Sequence, residues 1–341
     1  MKRHERQAER PVTRKFLERD MKTLIFTKKD IEKVLTPSLA NKTVEKAFKA
    51  YGLGEADMPA KSYLYFKKGN LRSMPAYIHG QGLDIAGIKS VTVHPGNAIY
   101  GLPTVIAVII LADPKNGFPL AIMDGTYLTS IRTGAAGALA VKLLSRKNSR
   151  IAGFVGCGTQ ARTQLACILE VRKLISVKIW QYNAMDEIAP KFKNWVQKTY
   201  KLDAIISPVI DEVTTGVDIL VTTTPSRRPL VNKVSPGTHI NAIGADAAGK
   251  EEINPKILKQ AKVVIDDWAQ AFHSGEINVP VRKRELTKKD IYAGLGDIVA
   301  GKVKGRTKAE EITLFDSTGL AIQDVSCGLY RLSGAQRQAG H

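Results

Sequence analysis

A chain of 341 residues, 44% of them hydrophobic, is long enough for roughly two domains of ~150 residues and too large for a small stapled fold. The formal charge of +19 invites a nucleic-acid partner, yet the lysines and arginines are spread along the whole chain without an aromatic-interleaved basic patch or a helix-turn-helix or RNA-recognition signature, so no specific nucleic acid is expected and the field reads as a basic surface that steers anionic substrates and cofactor phosphates. Cys157, Cys167 and Cys327 have neither C-x-x-C spacing nor a neighbouring histidine pair, so neither a disulfide framework nor a metal site is indicated, and a reducing, cytoplasmic setting fits best.

Residues 1–20 carry seven basic against four acidic residues and lack the apolar core of a signal peptide; they read as a disordered basic tail. Met21-Lys22-Thr23-Leu24-Ile25-Phe26 opens as a strand. From Thr27 the apolar positions Ile31, Val34, Leu35, then Val44, Ala47, Phe48 and Tyr51 recur at helical spacing, with Thr27 and Thr36 or Ser38 as caps. Strands follow at 62–66, 73–78, 88–93 and 104–111, separated by Gly and Pro turns. Helical spacing returns over 124–144, where the small residues of Arg132-Thr133-Gly134-Ala135-Ala136-Gly137 imply tight packing against a neighbour or a ligand. The longest apolar run, 105–112, falls far short of the ~18 residues a spanning helix needs, so no membrane is expected.

The stretch Arg150-Ile151-Ala152-Gly153-Phe154-Val155-Gly156-Cys157-Gly158-Thr159-Gln160-Ala161 reads as a buried strand, a sharp turn and a helix start. Gly156, Gly158 and Ala161 fit the G-x-G-x-x-G/A pattern: the first glycine makes the turn, the second lets backbone approach a pyrophosphate, and the third small residue lets helix and strand pack closely. A second strand at 177–180 completes a strand-helix-strand unit of about 30 residues. Alternation continues with a helix over 187–200 and strands at 218–223, 239–243 and 261–266, which predicts an α/β fold: a Rossmann-type doubly wound parallel sheet, preceded by a β-rich α+β domain. Thr222-Thr223-Thr224-Pro225 and Ala242-Ile243-Gly244-Ala245-Asp246 would lie at the carboxyl edge of that sheet, where such folds bind ligands.

Nine collinear stretches carry a family resemblance. They are Met58-Pro59-Ala60-Lys61, Leu71-Arg72-Ser73-Met74-Pro75-Ala76, Gly87-Ile88-Lys89, Gly101-Leu102-Pro103-Thr104-Val105, Met123-Asp124-Gly125-Thr126, Ile131-Arg132-Thr133-Gly134-Ala135-Ala136, the glycine loop, Gly244-Ala245-Asp246 with Gly249-Lys250, and Phe315-Asp316-Ser317-Thr318-Gly319. From about Met21 to about Ser326 the chain resembles the ornithine cyclodeaminase/mu-crystallin family, most of all its branch of archaeal-type alanine dehydrogenases.

The resemblance implies NAD(P)-dependent oxidative deamination of a small amino acid, L-alanine, to pyruvate and ammonia. An ornithine cyclodeaminase, a ketimine or cyclic imine reductase, or a non-enzymatic NAD(P)H-binding mu-crystallin-like protein stand as alternatives. It implies a homodimer joined through the β-rich stretch, with residues 21–130 and 320–341 binding substrate and 131–319 binding the dinucleotide. Lys61, Lys89 and Arg132 match the family's carboxylate binders, Asp246 its proton-handling aspartate, with Lys61 counted beside it among the catalytic groups. Each has a plainer reading: a surface cation, or for Asp246 the N-cap of a helix. Arg72, eleven residues after Lys61, stands where ornithine-specific relatives carry an acid; it would repel a distal ammonium and, with Lys61, suit a keto acid, or serve as a structural ion-pair partner.

For the cofactor, the glycine loop and the resemblance give Thr133, Gly156, Gly158, Thr159, Gln160, Ala161, Ser317, Thr318 and Gly319, and the strand edge adds Thr223 and Thr224, which read equally as ordinary strand threonines. After the second strand come Gln181, Tyr182 and Asn183 in place of the aspartate that grips an NAD ribose, and no arginine follows for a 2′-phosphate; NAD is the choice, NADP the alternative. Past Val325 the glycines and weak apolar spacing depart from the family's closing helix.

Overall fold

Two helices open where the sequence places their caps. The Thr27 hydroxyl accepts the N–H of Asp30 and the Asp30 carboxylate answers the N–H of Thr27, a capping box that starts α1 (Lys28–Val34). Thr36 accepts the N–H of Leu39, and Pro37 begins α2 (Pro37–Leu53), which ends at Gly54 in the left-handed conformation that favours glycine. These come from a computed structural model that describes residues 22–183, 185 and 187–338; the basic tail of residues 1–20 lies outside them.

The first sheet has seven strands: β1 (Leu24–Phe26), β2 (Ala56–Asp57), β3 (Ser62–Phe66), β4 (Gly69–Ile78), β5 (Ile85–Val93), β6 (Val105–Ala112) and β7 (Pro119–Asp124). Their order is β1-β7-β6-β5-β4-β2, with β3 also on β4, and β1–β7 is the one parallel pair among them. The expected strands are all present, and β2 and β7 are additions. Asp124 closes β7, so α3 (Thr126–Leu144) starts two residues later than the helical spacing suggested.

Alternation along β4 turns Arg72, Met74, Ala76 and Ile78 to one buried face, and the Met74–Lys89 register brings Lys89 to that same face. A helix over Ala321–Gln338 lies across β4, β5 and β6 and against α2 and α3. This corrects the reading of the C-terminus. Gly328 does not end the helix; a Cβ there would come 3.2 Å from the side chain of Leu111, so the glycine lets helix and sheet approach closely. The outer face of the sheet leaves Ile25, Val108, Ile110 and Ile122 exposed.

The second sheet is wholly parallel: β8 (Ile151–Val155), β9 (Ser176–Trp180), β10 (Asp203–Ser207), β11 (Ile219–Thr222), β13 (His239–Ala242), β15 (Lys262–Ile265), β16 (Ile291–Gly294) and β17 (Thr313–Asp316). Beside it β12 (Arg227–Val231) pairs with β14 (Glu251–Ile253). The order β10-β9-β8-β11-β13-β17-β15-β16 reverses direction between β8 and β11, the switch point where doubly wound sheets bind ligands. Helices α4 (Thr159–Leu169) and α5 (Ile188–Tyr200) connect the first of these strands.

Helix α3 ties the two sheets together, and its glycines set how closely. The Asn241 amide donates to the Gly137 carbonyl and to Gln164 Oε1, while Gln164 Nε2 donates to the Thr133 carbonyl. A Cβ at Gly137 would lie 1.9 Å from Gln164 Oε1 and 2.7 Å from Asn241 Nδ2. Gly137→Ala should therefore cost about 1–3 kcal/mol of stability through overpacking and the broken amide chain. Urea unfolding checks this, and a midpoint within error of the parent would contradict it.

Candidate active site

The glycine loop has the shape its sequence requires. Gly156, at φ +104°, adopts a conformation that side chains avoid, and a Cβ there would come 2.6 Å from Thr223 Oγ1. Gly158 precedes α4 and a Cβ on it would meet nothing within 4 Å, so that face of the helix start, Thr159-Gln160-Ala161, is open to an approaching group. Ala161 is fully buried, as close helix packing demands.

Around the loop the structure gathers further hydroxyls. Thr223 Oγ1 and Ser317 Oγ are buried without a hydrogen-bond partner among the described residues. Thr224 is turned elsewhere: its hydroxyl and N–H both donate to Glu252 Oε1 at 2.7 Å. The Thr133 hydroxyl donates to the Thr129 carbonyl. Gln181 donates its N–H to the Ser207 carbonyl at the end of β9, Tyr182 is exposed with its ring edge-on to Trp180, and Asn183 Oδ1 accepts the N–H of Met185.

The cations converge below this edge. Lys89 is wholly buried, its ammonium 2.8 Å from Asp324 Oδ2. Arg132 Nε donates to Asp324 Oδ1 at 2.9 Å, and its Nη1 to Gln323 Oε1 at 2.6 Å. Lys89, expected to hold a substrate carboxylate, thus has a carboxylate of the chain itself within ion-pair distance. Burial and the Arg132 charge outweigh Asp324 and bring the Lys89 pKa down to about 7. Lys61 has no carboxylate within ion-pair distance among the described residues; it donates to the Thr318 carbonyl at 2.6 Å. Burial lowers its pKa to about 8, against the pull of Asp266 and with the push of Arg72 and Arg132.

Behind Thr318 stands Asp266, which accepts the N–H groups of Thr318 and Gly319 at 2.6 and 2.8 Å and the Thr318 hydroxyl at 3.0 Å. The Ser317-Thr318-Gly319 turn is thereby fixed from the rear. Gly319, at φ +78°, lies against the Arg132 guanidinium, where a Cβ would come 2.4 Å from Nη1.

Asp246 sits between two cations. Lys250 Nζ reaches its Oδ1 at 2.6 Å, and Arg72 Nη1 reaches its Oδ2 and its carbonyl at 3.2 Å. Burial alone would raise its pKa, but Lys250 and Arg72 hold it at about 2. The helix-cap reading of Asp246 does not hold, since the chain runs through a turn into β14. The Arg72 guanidinium lies 5.6 Å from the Tyr63 ring, which also touches His273.

Sequence reasoning missed Asp324, Gln323 and Asp266. Gln323 and Asp324 come one helical turn after the Ser317-Thr318-Gly319 segment, and three cations at buried positions require an internal anion, so a signal for Asp324 was present. It also missed three buried acids around this edge, Asp316, Glu276 and Glu252. Asp316 is pushed by burial and by Asp266 up to about 8, and Glu276 is raised well above the usual carboxylate range by burial and by Glu252. Among the described residues no group of three or more His, Cys, Asp or Glu side chains is arranged to hold a metal, and no helix is long and apolar enough to cross a membrane.

The profile of the ornithine cyclodeaminase/mu-crystallin family matches residues 21–330. An alanine dehydrogenase of Archaeoglobus fulgidus is 50% identical over 308 residues, covering 90% of this chain and 93% of the relative. Among solved structures, an archaeal alanine dehydrogenase dimer with bound NAD superposes with a TM-score of 0.88 at 48% identity, covering 93% of this chain and 97% of the other. The Delta(1)-pyrroline-2-carboxylate reductase of Thermococcus litoralis, in complex with NADH and L-proline, gives 0.89 at 35% identity, covering 93% and 98%.

Asp266→Asn tests the backing of the turn. An amide offers one acceptor oxygen where the carboxylate offers two, so stability should fall by about 1–3 kcal/mol. Removal of the negative charge should also move Lys61 to titrate below about 8. Urea unfolding and the pH dependence of Lys61 modification by an amine reagent, followed by peptide mass, measure the two. No change in either would contradict the arrangement.

Proposed function

Because this chain belongs to the ornithine cyclodeaminase/mu-crystallin family, we propose that it is an NAD-dependent dehydrogenase interconverting L-alanine with pyruvate and ammonia. The observation that carries the choice of substrate is Arg72. An ornithine side chain would bring its ammonium against a guanidinium already paired with Asp246, whereas alanine has no distal group to be repelled. The identity to the Archaeoglobus enzyme supports the same choice.

Gly156, Gly158 and the first turn of α4 suit the pyrophosphate of a dinucleotide, since the loop keeps open the space that a Cβ at Gly158 would enter. The unpartnered hydroxyls of Thr223 and Ser317, with the Thr318-Gly319 backbone, suit the nicotinamide side. Gln181 offers neither a carboxylate for ribose hydroxyls nor a cation for a 2′-phosphate; NAD is assigned from the NAD and NADH held by the two solved relatives. When bound, the nicotinamide supplies the acceptor for hydride leaving the α-carbon, or its donor in the reverse direction.

The protein's own groups do the rest. Lys61 and Arg132, with the field of Lys89 behind them, hold the substrate carboxylate; the Asp324 pair keeps Arg132 oriented. Asp246, ionised at every working pH, accepts a proton from the water that adds to the α-carbon of the imino acid and returns it to the departing ammonia. The seven-stranded sheet and the last helix form the substrate side, and the parallel sheet the nucleotide side. The exposed Ile25, Val108, Ile110 and Ile122 suit burial in a homodimer, the state of the archaeal relative.

Purified protein should reduce NAD with L-alanine and oxidise NADH with pyruvate plus ammonia. Asp246→Asn should lower kcat about 10²- to 10⁴-fold while NADH binding persists. Turnover of Delta(1)-pyrroline-2-carboxylate with none of alanine would move the assignment to an imine reductase.

The pH dependence follows from Lys61. Its charge is fully present below about 8 and is lost as pH rises through that value, so carboxylate binding should weaken there. The inhibition constant of propionate, which carries the carboxylate without another titrating group, should rise modestly as the Lys89 field is lost through about 7 and about tenfold per unit well above 8. A constant value up to pH 10 would contradict the role of Lys61.

A further inference from the structure

Gln323 is the third residue of the last helix and fully buried. Its Oε1 accepts from Arg132 Nη1 at 2.6 Å. A guanidinium carries donors alone, so this contact fixes which end of the carboxamide faces Arg132: the oxygen. The nitrogen, Nε2, is then left buried with two hydrogens and no hydrogen-bond partner among the described residues. A buried donor without an acceptor is costly, and proteins rarely keep one without a use.

Its surroundings name the acceptor's chemistry. The amide lies in the first turn of an eighteen-residue helix, whose start is positively polarised. Gly319, just before that turn, rests on the Arg132 guanidinium, and Lys61 holds the neighbouring Thr318 carbonyl. Arg132 Nη2 makes no hydrogen bond among the described residues, and Lys61 has no carboxylate partner there. Arg132 and Gln323, joined by one hydrogen bond, thus each keep a donor without an acceptor beside the Thr318-Gly319 turn that Lys61 holds. Asp324 is turned to Lys89, at ion-pair distance, and to Arg132 Nε.

We propose that Gln323 is a substrate-binding residue: its carboxamide oxygen steadies Arg132 while its Nε2 donates to an oxygen of the substrate carboxylate. This rests on the reading of the Lys61 and Arg132 site as a carboxylate site. It makes recognition depend on a donor that no ion pair of the chain reveals. The carboxamide also acts as a filter on charge, because it satisfies Arg132 without neutralising it and leaves the guanidinium positive toward the ligand.

The test uses Gln323→Glu, which retains an acceptor for Arg132 but replaces the donor with a negative oxygen, and Gln323→Met, which fills similar volume with neither. Propionate and NADH binding are titrated on the parent and both variants by tryptophan fluorescence, with propionate measured on the NADH-saturated protein. Propionate should weaken about 10- to 100-fold in both variants, more in Gln323→Glu, with the NADH dissociation constant changed less than twofold. Unchanged propionate binding in folded variants overturns the proposal, as does a loss confined to NADH, which would give the amide to the nicotinamide carboxamide instead. If neither variant folds, a crystal structure of the parent with propionate decides: Nε2 lies within 3.2 Å of a carboxylate oxygen, or it does not. A parent that binds propionate but does not oxidise alanine fails the dehydrogenase assignment and leaves this test standing.

Discussion

The burial of Asp324 between Lys89 and Arg132 is the constraint on which the rest of the molecule depends. All three side chains are at most 6% exposed, and a buried charge persists only with a partner in good geometry. Each comes from a different element: Lys89 from β5, Arg132 from α3 and Asp324 from the last helix. The ion pairs thus fasten the end of the chain onto the sheet formed near its beginning, across the helix that leads into the parallel sheet. Loss of any one partner would strand charge in the interior, where removal of one member of such a pair costs about 3–5 kcal/mol.

From that fastening the cleft acquires its sign. Asp324 carries one negative charge against two positive ones, and Lys61 adds a third cation whose bond goes to a neutral carbonyl. The excess faces the carboxyl edge of the parallel sheet, where Asp266 fixes the turn that carries Ser317, Thr318 and Gly319. Asp246, clamped by Arg72 and Lys250, also feels the Lys61 charge. On the proposed reading, an amino acid would lie between that cationic excess and the ionised Asp246.

Much of this could be read from the chain alone because it depends on local backbone demands. The φ of Gly156, the open face of Gly158 and the caps at Thr27 and Thr36 are requirements that residue type expresses directly. The cations Lys61, Arg72, Lys89 and Arg132 could be singled out by motif, but their partners could not, since each lies at least 170 residues away in the chain. Gly328 was misread because a glycine that admits a neighbouring strand and one that ends a helix look alike until the neighbour, Leu111, is known. Strand β7 was hidden for a related reason: six residues pressed against a following helix show little of their own period. Thr224 had the composition of a ligand-binding edge residue, yet the buried Glu252 claims it.

The central claim is that Lys61 and Arg132 hold a substrate carboxylate while Lys89 stays with Asp324. A crystal structure of the protein with NADH and pyruvate tests it most directly. The pyruvate carboxylate should lie against Arg132 and Lys61, its carbonyl carbon toward Asp246, with the Lys89–Asp324 pair intact near 2.8 Å. Pyruvate bound with its carboxylate away from both cations, or with Lys89 drawn off Asp324 to meet it, would contradict it.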